Sequence, residues 1–257
     1  MRFPIACAIA LAFCAVPVAA DPPPQEGDQL GKSLAALNHL RRGKETPFAS
    51  IDTEFESLLK EYPRAEDQGR IYAQIAHLYA QSGMRRPGDA QRVIDAAQEA
   101  LRNPIEPRLR LRTYLYWGDA YARMDPTDFR RSYIAGRADA APAYLKGLKE
   151  AAQYHIPEVV QDLPRLSFPK KGDEKDFLRQ LEERQPQLKR IQTDREMHMY
   201  RSCLQGQLLF LYTRRPYAGS ELRRLATEIL GDAGHVEKLM KTIPSEALKD
   251  ETPPKPK

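Results

Sequence analysis

Residues 55–79 read FESLLKEYPRAEDQGRIYAQIAHLY. Phe55, Leu58, Leu59 and Tyr62 fall three or four positions apart, the period that gathers side chains on one face of a helix. Pro63 stops that helix, because proline has no N–H to donate and its ring crowds the preceding turn. The same period resumes at Ile71, Ile75, Leu78 and Tyr79, and Gly83 ends it. The stretch is therefore the junction of two amphipathic helices, each with an apolar face that must be buried against a neighbour.

The pattern extends in both directions. Upstream, Leu30, Leu34, Leu37 and Leu40 form a stripe, and Ile51 lengthens that of Phe55, opened by Thr46 as N-cap with Pro47 behind it. Downstream, Val93, Ile94, Ala97 and Leu101 form a stripe ending before Asn103-Pro104. Leu111, Tyr114, Leu115, Trp117 and Tyr121 form the next, ending at Asp125-Pro126, and a sixth runs through Ala140, Tyr144, Leu148 and Ala152. Trp117 lies on its stripe and is expected to be buried between helix pairs. No Asn-Gly or Asp-Gly dipeptide occurs, so the strongest short hairpin signal is missing. The spacing predicts an all-α chain of short helices packed as antiparallel neighbours.

The pairs repeat. Tyr72, Ile75, Ala76 and Tyr79 have the same spacing as Tyr114, Trp117, Gly118 and Tyr121, and the small third member lets a paired helix approach closely. The second helices carry a matching small, bulky, small series, Ala90, Ile94, Ala97 and then Ala140, Tyr144, Gly147. On these residues, 45–152 resembles the tetratricopeptide-repeat family, with insertions between the helices of both full repeats. The resemblance implies a short α-α superhelix. It also implies that ligands lie on the concave face, at the positions Arg70, Ala73, His77 and Gln81, then Arg112, Leu115, Asp119 and Arg123. The basic and asparagine positions with which the family grips a C-terminal carboxylate are not matched at Ala73 and His77. The resemblance leaves a mixed groove with three arginines, suited to an acidic or extended partner, or else a row of ordinary solvated side chains.

Residues 1–20 look like a secretory signal peptide: a charge at Arg2, an uncharged run from Phe3 to Ala20, and the small-residue pattern Val18-Ala19-Ala20. An uncleaved anchor is the competing reading, which Pro17 and the single flanking charge disfavour. Phe13 before Cys14 speaks against lipidation. The expected organisation is a disordered linker over 21–28, tetratricopeptide-like repeats over 29–155 and an irregular connection over 156–172. A C-terminal helical region over 173–248, acting as a cap, and a disordered tail over 249–257 complete it. Within the cap, a charged helix from Asp173 to Arg184 is expected to end before Pro186, which opens a longer one reaching Tyr212, with Glu221 to Leu230 as partner. Cleavage would remove Cys7 and Cys14, leaving Cys203 as a small buried hydrophobe with no internal disulfide to form.

The formal charge of +5 falls to +4 without Arg2, which is no nucleic-acid signature. Expected partners are a protein or peptide, or an anionic envelope polymer, for a periplasmic or extracellular chain with no stable membrane insertion after cleavage. His39, His77, His155, His198 and His235 are scattered, and no Gly-x-Ser-x-Gly elbow or phosphate-cradling glycine loop occurs. The sequence thus points to a non-catalytic interaction module with no metal and no cofactor. The alternative is an envelope hydrolase with a cleft between the repeats and the C-terminal helices. Arg108, Arg110 and Arg112 open the fifth helix, where cations oppose the helix dipole, so a compensating partner is expected, internal or external. N-terminal sequencing of the exported chain should begin at Asp21 or within a residue or two; an intact Met1 on a cytoplasmic product would overturn the export reading.

Overall fold

A computed structural model describes residues 28–42, 48–84, 86, 88–123, 132–158, 174–213 and 219–242. Among these residues there are nine α-helices and no strand. They are α1 (Gln29–Arg42), α2 (Phe48–Glu61), α3 (Ala65–Gln81), α4 (Asp89–Arg102) and α5 (Pro107–Arg123). Then follow α6 (Ser132–Ala152), α7 (Glu174–Thr213), α8 (Gly219–Leu230) and α9 (Ala233–Lys241). The residues 1–27, Thr46, Asp125-Pro126, most of the 156–172 connection and the 249–257 tail lie outside the described set.

The helices stack as pairs. α3 packs on α4, α5 on α6, and the first helices touch in succession, α1 on α3, α3 on α5 and α5 on α7. α8 packs on α6, and α9 on α8, closing the C-terminal end. The described residues are all-helical and repeat-like, as the periodicity predicts. Ile51, Phe55 and Leu58 are buried with Leu30, Leu34 and Leu37 in one cluster, and Val93, Ile94 and Ala97 with Ala76 and Tyr79 in a second. The largest cluster joins Leu111, Tyr144 and Leu145 to Leu204, Leu208, Leu222 and Met240, so the cap shares its core with the last repeat.

Small residues set the crossings. A Cβ on Gly118 would lie 2.2 Å from the Tyr144 ring, and one on Gly147 would lie 2.8 Å from Tyr114 Cβ and 3.0 Å from Leu204. α6 therefore touches α5 and α7 at two glycines. At the end of α3, Gly83 takes φ 78°, a left-handed conformation that glycine adopts without a Cβ penalty.

Three expectations are corrected. α7 is one helix of 40 residues with Pro186 inside it, not two helices split there. Residues 182–187 are all exposed, so water can satisfy the carbonyl that proline leaves without a donor. Trp117 is half-buried: its ring lies among Tyr114, Tyr121 and Lys146, with Lys146 Nζ 5.2 Å from the ring centre. Cys203 is likewise half-buried against the largest cluster.

Gly118→Ala should lower stability by about 1–3 kcal/mol, the usual cost of overpacking, because Tyr144 cannot withdraw from a closed core. Gly206→Ala, in α7 with nothing within 4 Å of the added Cβ, should instead be neutral or raise stability by up to about 1 kcal/mol. Urea unfolding of both variants checks the pair; equal effects would contradict the crossing geometry.

Candidate functional site

The first helices share a face, and a row of polar side chains runs across it. At the start of α1, Asp28 Oδ1 accepts the Gly31 N–H at 2.8 Å and so caps the helix. The same carboxylate receives Arg70 of α3, Nη2 to Oδ2 at 2.6 Å and Nη1 to Oδ1 at 3.4 Å. That hydrogen bond from Arg70 is the chief reason the Asp28 carboxyl titrates below its ordinary value, outweighing partial burial.

Further along, Gln74 Nε2 donates to Asn38 Oδ1 at 2.5 Å, and Arg112 Nη2 donates to Gln74 Oε1 at 3.5 Å. One glutamine therefore links α1, α3 and α5. His77 Nδ1 lies 2.9 Å from Tyr116 Oη, a second link from α3 to α5. Between α5 and α7, Arg108 Nη1 donates to Glu196 Oε2 at 3.2 Å while its Nε holds Glu106 at 2.9 Å.

The groove positions fare differently. Arg70 is partly exposed, whereas His77 and Arg112 are only 3% and 4% exposed, so neither is a solvated side chain nor a surface lining of a groove. Ala73 and Leu115 are core residues, and Gln81 is exposed. Asp119 accepts the Tyr144 hydroxyl at 2.7 Å, and exposed Arg123 donates to the Gly83 carbonyl at 2.9 Å. The structure thus buries His77 and Arg112 in the contact between α3 and α5, leaves Arg70 on Asp28 at the start of α1, and sets Asp119 and Arg123 toward the far end of α5.

Sequence reasoning missed Asp28, Asn38, Gln74, Tyr116 and Glu196. A signal existed for two of them: Gln74 is four residues after Arg70 and Tyr116 four after Arg112, spacings that place each pair on one helix face. The arginines at the start of α5 find their compensation inside the protein. Arg108 has Glu106 and Glu196, and Arg110 grips Glu150 through Nε at 2.8 Å and Nη2 at 3.3 Å. Among the described residues, no three or more His, Cys, Asp or Glu side chains are grouped to hold a metal ion.

Compared with protein-family models, with curated proteins and with solved structures, the chain matches none.

Asp119 gives this face a measurable signature. Burial pushes its carboxyl from 3.8 up to about 6, against the opposing pull of the Tyr144 hydroxyl and the Arg123 charge. Between those two values the folded chain keeps a proton that the unfolded chain releases, so stability falls as pH rises through the window. Asp119→Asn cannot ionise and still offers Tyr144 an acceptor. The variant should be more stable than the parent by about 1–2 kcal/mol at pH 7.5, allowing for the side chain's partial solvent contact, with no advantage near pH 3.5. Urea midpoints across that range check it; a constant difference at every pH would rule out ionisation as the cause.

Proposed function

We propose that this chain is an exported, non-catalytic interaction module, tetratricopeptide-like over residues 29–155, that takes an acidic protein or peptide segment on the face of its first helices. An anionic envelope polymer offers similar chemistry. The observation that carries the reading is the polar seam itself. Helix stacking needs only apolar stripes, yet Asn38, Gln74, His77, Arg112 and Tyr116 hold fixed hydrogen bonds from repeat to repeat along one face. Because Gln74, His77 and Arg112 are buried, the seam itself meets no ligand. It fixes the spacing of the helices that carry Arg70 and Arg123, so the face is set before a partner arrives, and ordering is where extended partners usually lose affinity.

Charge favours an acidic partner. Arg70 and Arg123 stand on this face with part of their surface open to solvent, and a guanidinium pairs with carboxylates in a defined two-point geometry. Export rests on the sequence of residues 1–20. Among the described residues, no helix is long and apolar enough to cross a membrane.

The test is capture of partners from an envelope fraction by the mature protein, followed by charge reversal. Because Arg112 is buried, the informative variant is Arg70→Glu with Arg123→Glu, which changes the face and spares the core. It should weaken binding of the captured partner roughly tenfold or more and flatten the salt dependence of what remains. Unchanged affinity in a folded variant would place the binding surface elsewhere.

A further inference from the structure

Resting on the reading that the first-helix face takes an acidic segment, we propose that Asp28 is that face's built-in occupant. Its carboxylate sits on Arg70 as an incoming carboxylate would, and a partner must displace it to dock.

The geometry is that of ligand recognition more than of a chance ion pair. Both guanidinium Nη atoms of Arg70 address both carboxylate oxygens of Asp28, at 2.6 and 3.4 Å, from helices far apart in sequence. This fork-to-fork arrangement is how arginine selects carboxylates in general. Asp28 is anchored independently of Arg70, because its Oδ1 also accepts the Gly31 N–H. The carboxylate is therefore held in place to rebind when a competitor leaves. Both side chains keep 27% of their surface, so a competing carboxylate reaches the pair from solvent.

Arg112 and Arg108 offer no such exchange. Arg112 is 4% exposed, and the Arg108–Glu196 pair is 18% and 12% exposed, closed between α5 and α7. Asp67 stands 3.9 Å from Arg70 Nη1, close enough to steady the guanidinium but without the two-point fit. Arg70 is thus where an internal acid and an external one compete on nearly equal terms, since partly exposed ion pairs add little net stability. The effect is a threshold: a segment with a single carboxylate gains nothing by replacing Asp28, while one with several acids can also engage Arg123.

The experiment titrates a short fluorescent oligoglutamate peptide into the full chain, as parent, Asp28→Asn, Arg70→Gln and the double variant. Asparagine is as good an N-cap as aspartate, so α1 keeps its start while the charge leaves. Asp28→Asn should bind the probe about two- to fivefold tighter at low salt, the range an exposed ion pair commands. Arg70→Gln should bind it more weakly, and Asp28→Asn should make no difference in the Arg70→Gln background. Equal affinity of parent and Asp28→Asn, no binding by Asp28→Asn, or a gain that persists without Arg70 would each overturn the proposal. The broader reading fails separately: probe binding that Arg70→Glu with Arg123→Glu leaves unchanged would show that the first-helix face is not the site.

Discussion

Close approach of α5 and α6 at Gly118 is the constraint on which the rest of the array depends. The Tyr144 ring lies where any side chain at 118 would stand, and it is 1% exposed. Only with α6 that near can Leu145 and Leu148 reach the core shared with Leu204, Leu208 and Leu222. A helix pair cannot bury its apolar faces alone, so each repeat is stable only through its neighbours. The same tyrosine also serves a polar role, since its hydroxyl is donated to Asp119 and so joins the packing contact to the first-helix face.

That face shows the second consequence of stacking. Polar groups shut away from water need partners, and here the partners come from adjacent repeats. Gln74 accepts from Arg112 on one side and donates to Asn38 on the other. Apolar stripes tolerate sliding by a turn, because one leucine packs much like another. A hydrogen-bonded row does not, since a shifted helix would leave His77 facing something other than Tyr116. The seam therefore supplies register, while the apolar clusters supply most of the stability.

Much of this was legible in the sequence, and for local reasons. The stripe from Ile51 to Tyr62, the stop at Pro63 and the glycine after α3 are all short-range signals, and each falls on a helix or its end. The small residues at 118 and 147 were legible through repetition. What escaped was tertiary. Burial of His77 depends on which side of α3 meets α5, a matter of crossing geometry that no spacing within α3 records. The half-exposure of Trp117 has the same origin. Pro186 misled for another reason: the rule that proline ends a helix assumes a carbonyl with nowhere to turn, and around 182–187 solvent is on every side.

The start of α5 shows how a locally unfavourable sequence becomes a tertiary clamp. Arg108 and Arg110 lie in its first turn, where the helix dipole repels cations, and they would weaken an isolated helix. In the folded chain each repulsion is offset by carboxylates from other elements. Glu150 comes from α6, Glu196 from α7 and Glu106 from the turn before α5. The pairs with Glu196 and Glu150 are largely sheltered, so removing one partner would leave a charge with poor access to water, which costs far more than an exposed pair returns. Arg110 thus ties the two helices of the last repeat together, and Arg108 joins that repeat to the cap at its polar edge, as Leu204 and Leu208 join them through the core. A generic capping helix, apolar on one side and polar on the other, would satisfy the leucines but not Arg108. The C-terminal helices are for that reason specific to this array and not an interchangeable end piece.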